Sequence, residues 1–537
     1  MKFIKSIYPP LLVALVMFPQ LVAFFINTPL FDSREIAIWF AWLPLIVLPY
    51  LFIPKKGVWI CINMLLFLDG LVTIVHHFFT NGPLTASSIF TFANTNGAEA
   101  HEFMELKSSA ILILIVVAYI LLFLKSTFRS SSELRPLPSV WLASIPFVFS
   151  IAFLTENGIN GRFVRKGIPQ NIEAGISYFE ESRSYASLSA RKLKSVDAKQ
   201  RNGYNKRQLC ILVIGESCTR NHMSLYGYQR ETNPLLSKRN DLWICNDVIS
   251  SYATTIKCVL SMLSESNMEN KIPLNNSLSL FDVFSSAGYK THWISNQSPI
   301  GIWDNAIFNL AKTANSVVYT NNSSNSSLET TLVPSYDEKI LPQLKRSLDI
   351  DTSKNKFIGI HLMGSHISYN KRYPAEFDYF KGGETEKEKT INQYDNSIRY
   401  NDFVLNEIIE MAKDASNRLG MMATVIYVSD HGENVFDIGG RAGHDWAGSI
   451  PNTIVEIPLI LWTSNPQLVS GSEHTPNLAN GLNRPFKNDD VFHLVLDLMN
   501  IETASFDSTR SLFNAAFIPR KRMLEDGRDY DLGRAAN

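Results

Sequence analysis

The chain has 537 residues, with 50 basic and 50 acidic side chains and no formal net charge at neutral pH. This balance gives no electrostatic reason to expect a nucleic-acid partner. Residues 1–155 are dominated by long apolar runs, whereas charged residues occur throughout the remainder. We therefore expect a membrane segment followed by a globular part.

Five apolar runs in the first 155 residues predict membrane-spanning helices. They are Pro9–Ile26, Ile36–Ile53, Gly57–Phe79, Ser109–Leu124 and Val140–Leu154. Several are slightly shorter than the roughly 20 residues that a bilayer core accommodates. No small-residue cleavage site follows the first run, so we expect that run to stay as an anchor. Residues 1–155 are thus predicted to be a five-helix transmembrane domain.

Basic residues concentrate in every second loop of this segment. They are Lys2, Lys5, Lys55, Lys56, Lys125, Arg129 and Arg135. The positive-inside rule places those loops in the cytoplasm, and an odd number of spans then places everything after about residue 155 outside it. Asp69 lies within the third run, where an ionisable residue is either functional or faces polar neighbours in the helix bundle.

Residues 156–207 are predicted to connect the membrane segment to the globular part. They end in a basic stretch from Arg191 to Arg207. This stretch is either a solvated linker or a surface that holds the following domain near anionic headgroups. The four cysteines that follow allow three pairings in an oxidising compartment, with buried thiols as the alternative. They are Cys210, Cys218, Cys245 and Cys258.

Short apolar runs alternate with helical stretches over residues 208–537. The runs that predict strands are Leu209–Ile214, Thr291–Ile294, Phe357–His361, Thr424–Val428 and Pro458–Trp462. The intervals between them are long enough for crossover helices. This pattern predicts an α/β domain with a mostly parallel sheet, in which ligands bind beyond the carboxyl ends of the strands.

Acidic and imidazole side chains follow three of these predicted strands. Glu216 comes after the first strand, Asp430 and His431 come after the fourth, and His361 ends the third, with His366 close behind. Two carboxylates and an imidazole suit Zn²⁺ with one open position. Taken alone, Asp-His-Gly could be a simple turn and each histidine could be structural. Their common place at strand ends favours a metal site.

A hydroxyl-rich run, Ser251–Thr255, opens a helical pattern between these groups. A metal would activate the hydroxyl of Thr255, and free amides at a helix N-terminus favour an incoming phosphate. The commoner use of Thr254 and Thr255 would be as an N-cap and its neighbour. Together with the metal site, the run predicts an enzyme that moves a phosphoryl-type group.

Several motifs together resemble the phosphoethanolamine transferases of Gram-negative inner membranes, which belong to the alkaline phosphatase and sulfatase superfamily. The motifs are Gly215-Glu216-Ser217, Ser224–Tyr228, Asn233-Pro234, His361–His366 with Tyr373-Pro374, Tyr394-Asp395-Asn396 and Ser429–Glu433. The resemblance covers nearly the whole chain, including five spans ahead of a periplasmic catalytic domain.

This resemblance implies a role for each matching residue. Glu216, Thr255, Asp430 and His431 would bind the catalytic zinc, with Thr255 as the nucleophile that takes up phosphoethanolamine. His366 and His444 would lie near the substrate phosphate or a second zinc, and His361 matches a further family histidine. Residues including Thr95 and Glu99, in the loop after the third span, would help to bind the donor phosphatidylethanolamine. The acceptor would be lipopolysaccharide core, lipid A or another periplasmic glycan.

The chain also departs from the family pattern. Tyr252 and Ser261 stand where many relatives have a cysteine pair around the nucleophile, with Cys258 between them, and Thr91 replaces a common asparagine. These differences favour the branch that acts on lipopolysaccharide core or another glycan. The alternatives are a phosphoglycerol transferase or another sulfatase-superfamily hydrolase, and a non-catalytic membrane scaffold that has kept the fold.

Overall fold

The computed structural model describes residues 56–80, 110–130, 168–201, 207–297, 306–321, 334–444, 449–471 and 476–534, with single positions among residues 8–18, 84–89 and 148–152. These residues form two compact units, one holding those up to Glu180 and the other those from Glu181 onward. The domain boundaries drawn from the sequence stay a prediction.

The first unit is helical. Its helices are α1 (Lys56–Thr80), α2 (Ala110–Ser130) and the start of α3 (Ile168–Ser187). Helices α1 and α2 pack through stacked aromatic rings, with the centroids of Phe67 and Phe123 3.7 Å apart. None of the helices among the described residues has both the length and the hydropathy of a membrane span. The predicted span Ile36–Ile53 lies outside the described residues, and the five-span topology stays a prediction.

Asp69 of α1 faces polar neighbours. Its Oδ1 accepts a hydrogen bond from Asn171 Nδ2 at 2.8 Å, and Asn171 also donates to Thr73 Oγ1 at 2.7 Å. The Thr73 hydroxyl donates to the Asp69 carbonyl one turn earlier. These contacts agree with the structural alternative for Asp69, because its carboxylate is used to join α3 to α1.

The second unit is built on a seven-stranded sheet. Its strands are β2 (Gln208–Gly215), β3 (Leu242–Cys245), β5 (Lys290–Ser295), β6 (Ser316–Tyr319), β7 (Lys356–His361), β8 (Met422–Ser429) and β11 (Leu459–Thr463). Their order across the sheet is β3-β11-β8-β2-β7-β5-β6. Short strands pair outside this sheet: β1 (Ala198–Gln200) with β13 (Ile501–Thr503), β4 (Val248–Ile249) with β12 (Phe486–Lys487), and β9 (Asn434–Val435) with β10 (Ala442–Gly443).

Helices cover both faces of the sheet and connect its strands. They are α4 (Thr255–Met262), α5 (Leu280–Ser286), α6 (Ala306–Ala311), α7 (Leu341–Asp349), α8 (Glu386–Leu419), α9 (Asn452–Val455), α10 (Pro466–Ser470), α11 (Val491–Leu498) and α12 (Tyr530–Arg534). The central strand β2 explains why the sequence signal is strong. Cys210, Leu212 and Ile214 enter one apolar core, whereas the intervening residues enter the core on the other face. A strand buried on both faces is apolar at nearly every position.

Each of the five predicted strands is present to within two residues at either end. Strands β2, β5, β6, β7 and β8 pair in parallel, whereas β11 is antiparallel to both β3 and β8. The sheet is therefore mixed, with a parallel centre. Because β11 runs backwards, its carboxyl end lies at the edge opposite Glu216. The sequence patterns missed β3 and β6, which are short and only partly buried.

Two arginines of the predicted basic stretch are structural. Arg191 is buried in an ion pair with Asp282, which also forms the capping box at the start of α5. Arg207 donates to the carbonyls of Leu419 and Thr352. The stretch is thus not a uniformly free basic surface. The sequence left open whether the cysteines of this unit form disulfides or are buried thiols. In the described residues all four are free buried thiols.

Candidate metal centre

The register of the three central strands brings the predicted metal ligands side by side. Gly215 of β2 pairs with Ser429 of β8, and Ile214 pairs with His361 of β7. Glu216 and Asp430 are the next residues after the first of these pairs. Parallel strands in this register must present their following residues at one edge, as the sequence predicted.

The backbone segments at this edge lie close to Glu216 and Asp430. Ser217 has a φ of 55°, and its N–H donates to Asp430 Oδ1 at 3.0 Å while its hydroxyl donates to Glu216 Oε1 at 2.9 Å. Strained positions of this kind cluster at functional sites. Gly364, also with a positive φ, lies against Glu216, and a Cβ there would lie 2.5 Å from the Glu216 carbonyl oxygen. Only glycine fits at that position.

Glu216, Asp430 and His431 form a buried group whose candidate ligand atoms all lie within 4.8 Å of one another. His431 Nε2 is 3.5 Å from Glu216 Oε1 and 3.4 Å from Asp430 Oδ2. The Asp430 Oδ2 atom is buried and accepts no hydrogen bond among the described residues. Burial, followed by the charge of Asp430, holds the pKa of Glu216 well above its usual range. A divalent cation would compensate both charges, and this donor set fits Zn²⁺.

The tautomer of His431 also suits a metal ligand. Its Nδ1 lies 2.8 Å from the Gly432 carbonyl oxygen, so Nδ1 carries the proton and Nε2 presents its lone pair to the carboxylates. Burial lowers the pKa of His431, so the ring is neutral at physiological pH. The neutral imidazole is the form that binds a metal.

The Thr255 hydroxyl faces this group. It donates to the Glu216 carboxylate at 3.1 and 3.2 Å and lies 3.3 Å from His431 Nε2. Thr255 is the first residue of α4, and Thr254 holds the N-cap position without a side-chain cap bond. The hydroxyl of Thr255 is thus committed to the carboxylate and imidazole, not to capping the helix.

A second group shares His431 with Glu433 and His444. His444 Nδ1 lies 2.7 Å from Glu433 Oε2, whose other oxygen accepts a 2.6 Å hydrogen bond from the Tyr369 hydroxyl. The rings of His431 and His444 are 4.2 Å apart. The carboxylate orients the His444 ring beside that of His431, a setting that suits proton transfer or metal ligation.

The remaining predicted histidines, His366 and His361, lie outside both groups of candidate ligands. His366 Nδ1 is buried without a hydrogen-bond partner among the described residues, and burial together with Arg372 lowers the pKa of His366 well below its usual range. His361 is buried against Trp293, and burial lowers its pKa to about 4. In the described part of the chain, neither belongs to a metal-ligating group. The predicted donor-loop residues Thr95 and Glu99 lie outside the described residues.

Two amide side chains that sequence reasoning missed contact the metal group. Gln297 Nε2 lies 3.5 Å from Glu216 Oε2 and donates to the Leu362 carbonyl at 2.9 Å. It follows β5 at the same sheet edge, a signal that could have identified it. Asn488 donates to the Asp430 carbonyl at 2.7 Å, and no local sequence pattern marks it.

The segment before Thr255 is held without a disulfide. The Cys258 thiol lies 3.3 Å from the Tyr252 carbonyl oxygen, and the Ser261 hydroxyl donates to the Cys258 carbonyl at 2.8 Å. Glu525, far along the chain, accepts a hydrogen bond from Ala253 N at 2.9 Å and lies 3.4 Å from Lys257 Nζ. These hydrogen bonds and the side-chain carboxylate of Glu525 hold the segment around Thr255, where many relatives are expected to have a cysteine pair.

His222 anchors the hairpin β9–β10, which leads to His444. Its Nδ1 lies 2.7 Å from Asp395 Oδ1, and its Nε2 lies 3.4 Å from Asp437 Oδ1 in the hairpin. Burial alone would lower the pKa of His222, but the hydrogen bonds to the two carboxylates outweigh it and raise the pKa to about 9. The imidazolium of His222 therefore ties the hairpin to α8.

This network predicts a stability that depends on pH. The folded pKa of His222 lies above the unfolded value, so its contribution is complete below about pH 6.5 and is lost as the pH rises through about 9. The contribution is up to about 3 kcal/mol. We expect the thermal unfolding midpoint of the full chain in detergent to fall more between pH 7 and pH 10 than that of His222→Gln. Parallel pH profiles for the two proteins would contradict this role.

Comparison with known proteins places the chain among several relatives. Residues 208–501, more than half of the chain, match the family model described as Sulfatase. Phosphoethanolamine transferase EptC of Escherichia coli (strain K12) is 27% identical over 515 residues, which cover 89% of this chain and 86% of the relative.

Two solved structures extend the comparison. The zinc complex of the C-terminal periplasmic domain of EptC from Escherichia coli is 29% identical, with a TM-score of 0.56, and the match covers 63% of this chain and 97% of that one. The integral membrane protein EptA from Neisseria meningitidis has a TM-score of 0.70 at 19% identity, covering 94% of this chain and 98% of that one. The second likeness concerns the fold alone.

Proposed function

Because the chain belongs to the sulfatase family, and within it to the phosphoethanolamine transferases, we propose that it transfers phosphoethanolamine from phosphatidylethanolamine to a lipopolysaccharide acceptor. The observation that carries this proposal is the Thr255 hydroxyl, hydrogen-bonded to Glu216 beside Asp430 and His431. A hydroxyl in this setting is an activated nucleophile. The name of the EptC domain, which is periplasmic, supports the proposal that residues 208–537 face the periplasm.

In the first step, Thr255 Oγ1 attacks the phosphorus of the donor. Its proton passes to the Glu216 carboxylate, which already accepts the hydrogen bond. The bond between phosphorus and the diacylglycerol oxygen breaks, and that oxygen takes a proton from the His444 imidazolium, which Glu433 stabilises. The product is diacylglycerol, with phosphoethanolamine bound to Thr255.

In the second step, an acceptor oxygen forms the new bond to phosphorus and the bond to Thr255 Oγ1 breaks. His444 is placed to remove the acceptor proton, because Glu433 orients its ring and stabilises the imidazolium that results. Thr255 recovers a proton from Glu216. Neutral His366 can donate an N–H hydrogen bond to a phosphoryl oxygen.

Zinc held by Glu216, Asp430 and His431 would activate the Thr255 hydroxyl and stabilise charge on the phosphoryl oxygens. The zinc complex of the EptC domain supports this choice of ion. Glu433 and His444, together with His431 of the first group, would supply ligands for a second zinc ion.

The function is tested by comparing glycolipids from cells with and without the intact gene. We expect phosphoethanolamine on lipopolysaccharide core or lipid A only when the gene is present, and its absence when the gene carries Thr255→Ala. Mass spectrometry of lipid A, core oligosaccharide and periplasmic glucans measures this directly. No phosphoethanolamine gain in any of these fractions would contradict the assignment.

A further inference from the structure

The amide side chain of Asn488 bridges a candidate metal ligand and the chain segment that leads to Thr255. Its Nδ2 donates to the Asp430 carbonyl at 2.7 Å, and its Oδ1 accepts a hydrogen bond from Ser251 N at 3.2 Å. Ser251 begins the Thr255 segment, residues Ser251–Thr255. Asn488 is fully buried, so both hydrogen bonds are shielded from water and hold their partners firmly.

Two short parallel strands bring Asn488 to this position. Strands β4 and β12 pair with Ile249 opposite Lys487. Ser250 is the next residue after β4, and Asn488 is the next residue after β12. Paired parallel strands present the residues that follow them at one edge. The amide therefore lies beside the start of the Thr255 segment, although the two are more than 200 residues apart along the chain.

On the metal side, Asn488 fixes the peptide group that joins Asp430 to His431, which we call the ligand peptide. Its carbonyl accepts the hydrogen bond from Asn488, and its N–H, that of His431, donates to Asp430 Oδ1 at 2.6 Å. The side chains on both sides of this peptide are candidate ligands, so a rotation of the peptide would move both of them. Asn488 thus supports the orientation of two ligands through one hydrogen bond.

The Thr255 segment has further contacts that remain if Asn488 is changed. The Ser251 carbonyl accepts a hydrogen bond from Glu525 N at 3.2 Å, and Ala253 N donates to Glu525 Oε1 at 2.9 Å. Neither of these bonds reaches the ligand peptide. Loss of the amide should therefore leave the segment folded and remove its link to the ligand peptide.

We propose that Asn488 is a positioning residue that sets the place of Thr255 Oγ1 relative to a metal ion held by Asp430 and His431. The inference rests on the proposed function, because the alignment of Thr255 matters for transfer only if this residue is the nucleophile. Displacement of a reacting atom by about 1 Å can lower a rate about 100-fold. Loss of the amide bridge should therefore slow the chemical step while substrate and metal still bind.

The test measures the rate and the final amount of phosphoethanolamine adduct formed by the zinc-loaded full chain. Asn488→Ala should lower the rate constant between about 10- and 100-fold, with the KM for phosphatidylethanolamine within about twofold of the wild-type value. The final amount of adduct should equal that of wild type. A purely structural role would instead lower the final amount, because unfolded protein forms no adduct. Asn488→Ser, whose hydroxyl is too short to span both partners, should give the same slow but complete reaction.

Asn514→Ala is the matched control for these variants. The Asn514 amide also makes one bond of each kind: Nδ2 donates to Asp497 Oδ1 at 3.1 Å, and Oδ1 accepts from Ala516 N at 2.9 Å. Neither partner belongs to a candidate metal group of the described chain, so the rate constant should equal that of wild type. A wild-type rate constant in Asn488→Ala, or an equal loss in Asn514→Ala, would overturn the proposal.

Cobalt in place of zinc gives a readout that needs no turnover. In Thr255→Cys protein, the thiolate beside the metal group should bind Co²⁺ and give a sulfur-to-cobalt charge-transfer band that is absent from wild type. Adding Asn488→Ala should remove most of this band while the cobalt d–d bands remain, whereas adding Asn514→Ala should leave both.

An undiminished charge-transfer band in Asn488→Ala would also overturn the proposal. If wild type forms no adduct with phosphatidylethanolamine but the band is still lost in the Asn488 variant, the proposed function fails while the placement of residue 255 by Asn488 stands.

Discussion

Thr255→Ala is expected to lower phosphoethanolamine transfer by about 10³-fold or more while the protein still folds. The Thr255 hydroxyl bonds only Glu216 and His431 among the described residues, so its loss removes the proposed nucleophile without opening the apolar core. Release of diacylglycerol from phosphatidylethanolamine and transfer to core oligosaccharide are the measurements.

Thr255→Ser is the matched control for this substitution. It keeps an oxygen at the same place and should retain measurable transfer, with a covalent intermediate on the serine. Equal thermal unfolding midpoints for the three proteins would show that the alanine variant is folded. Transfer by Thr255→Ala at a rate near that of wild type would contradict the role of Thr255.

Asp430→Asn is expected to weaken zinc binding by at least about 100-fold. The change keeps an oxygen to accept the hydrogen bonds from Ser217 N and His431 N, which both reach Oδ1. It replaces Oδ2, the buried oxygen without a hydrogen bond, by an uncharged amide nitrogen. Metal analysis of purified protein should find zinc in wild type and little in the variant.

Chelation gives the accompanying stability result. The thermal unfolding midpoint of wild type should fall when zinc is removed, because two buried carboxylates are then left close together. The midpoint of Asp430→Asn should change little. Asp497→Asn is the control. Asp497 is also buried, but its partners are the neutral side chains of Ser511 and Asn514. A full zinc content in Asp430→Asn would remove Asp430 from the ligand set.

The central strands could be predicted because they are apolar on both faces. Strands β2 and β7 are buried throughout and β8 is buried at every position after Met422, so even a short run stands out from its surroundings. Once their carboxyl ends are known, the placement of Glu216, Asp430 and His431 follows from parallel pairing. The direction of β11 could not be predicted, because a local pattern does not state whether a strand pairs in parallel.

Other parts of the site depend on contacts between distant segments. Asn488 and Glu525 meet the segment before Thr255 from more than 200 residues away. His444 reaches His431 because the hairpin β9–β10 folds back, and it was identified from the family resemblance, not from any spacing. Residues of this kind carry no local periodicity, so a single sequence gives no physical reason to select them.

The central claim is that phosphoethanolamine passes through a covalent bond to Thr255. Intact-protein and peptide mass spectrometry, after incubation of the zinc-loaded full chain with phosphatidylethanolamine but no acceptor, tests it most directly. The result that we predict is a single phosphoethanolamine adduct on the peptide that contains Thr255, which disappears when core oligosaccharide is added. Transfer to the oligosaccharide without any adduct, or an adduct confined to another residue, would contradict the account.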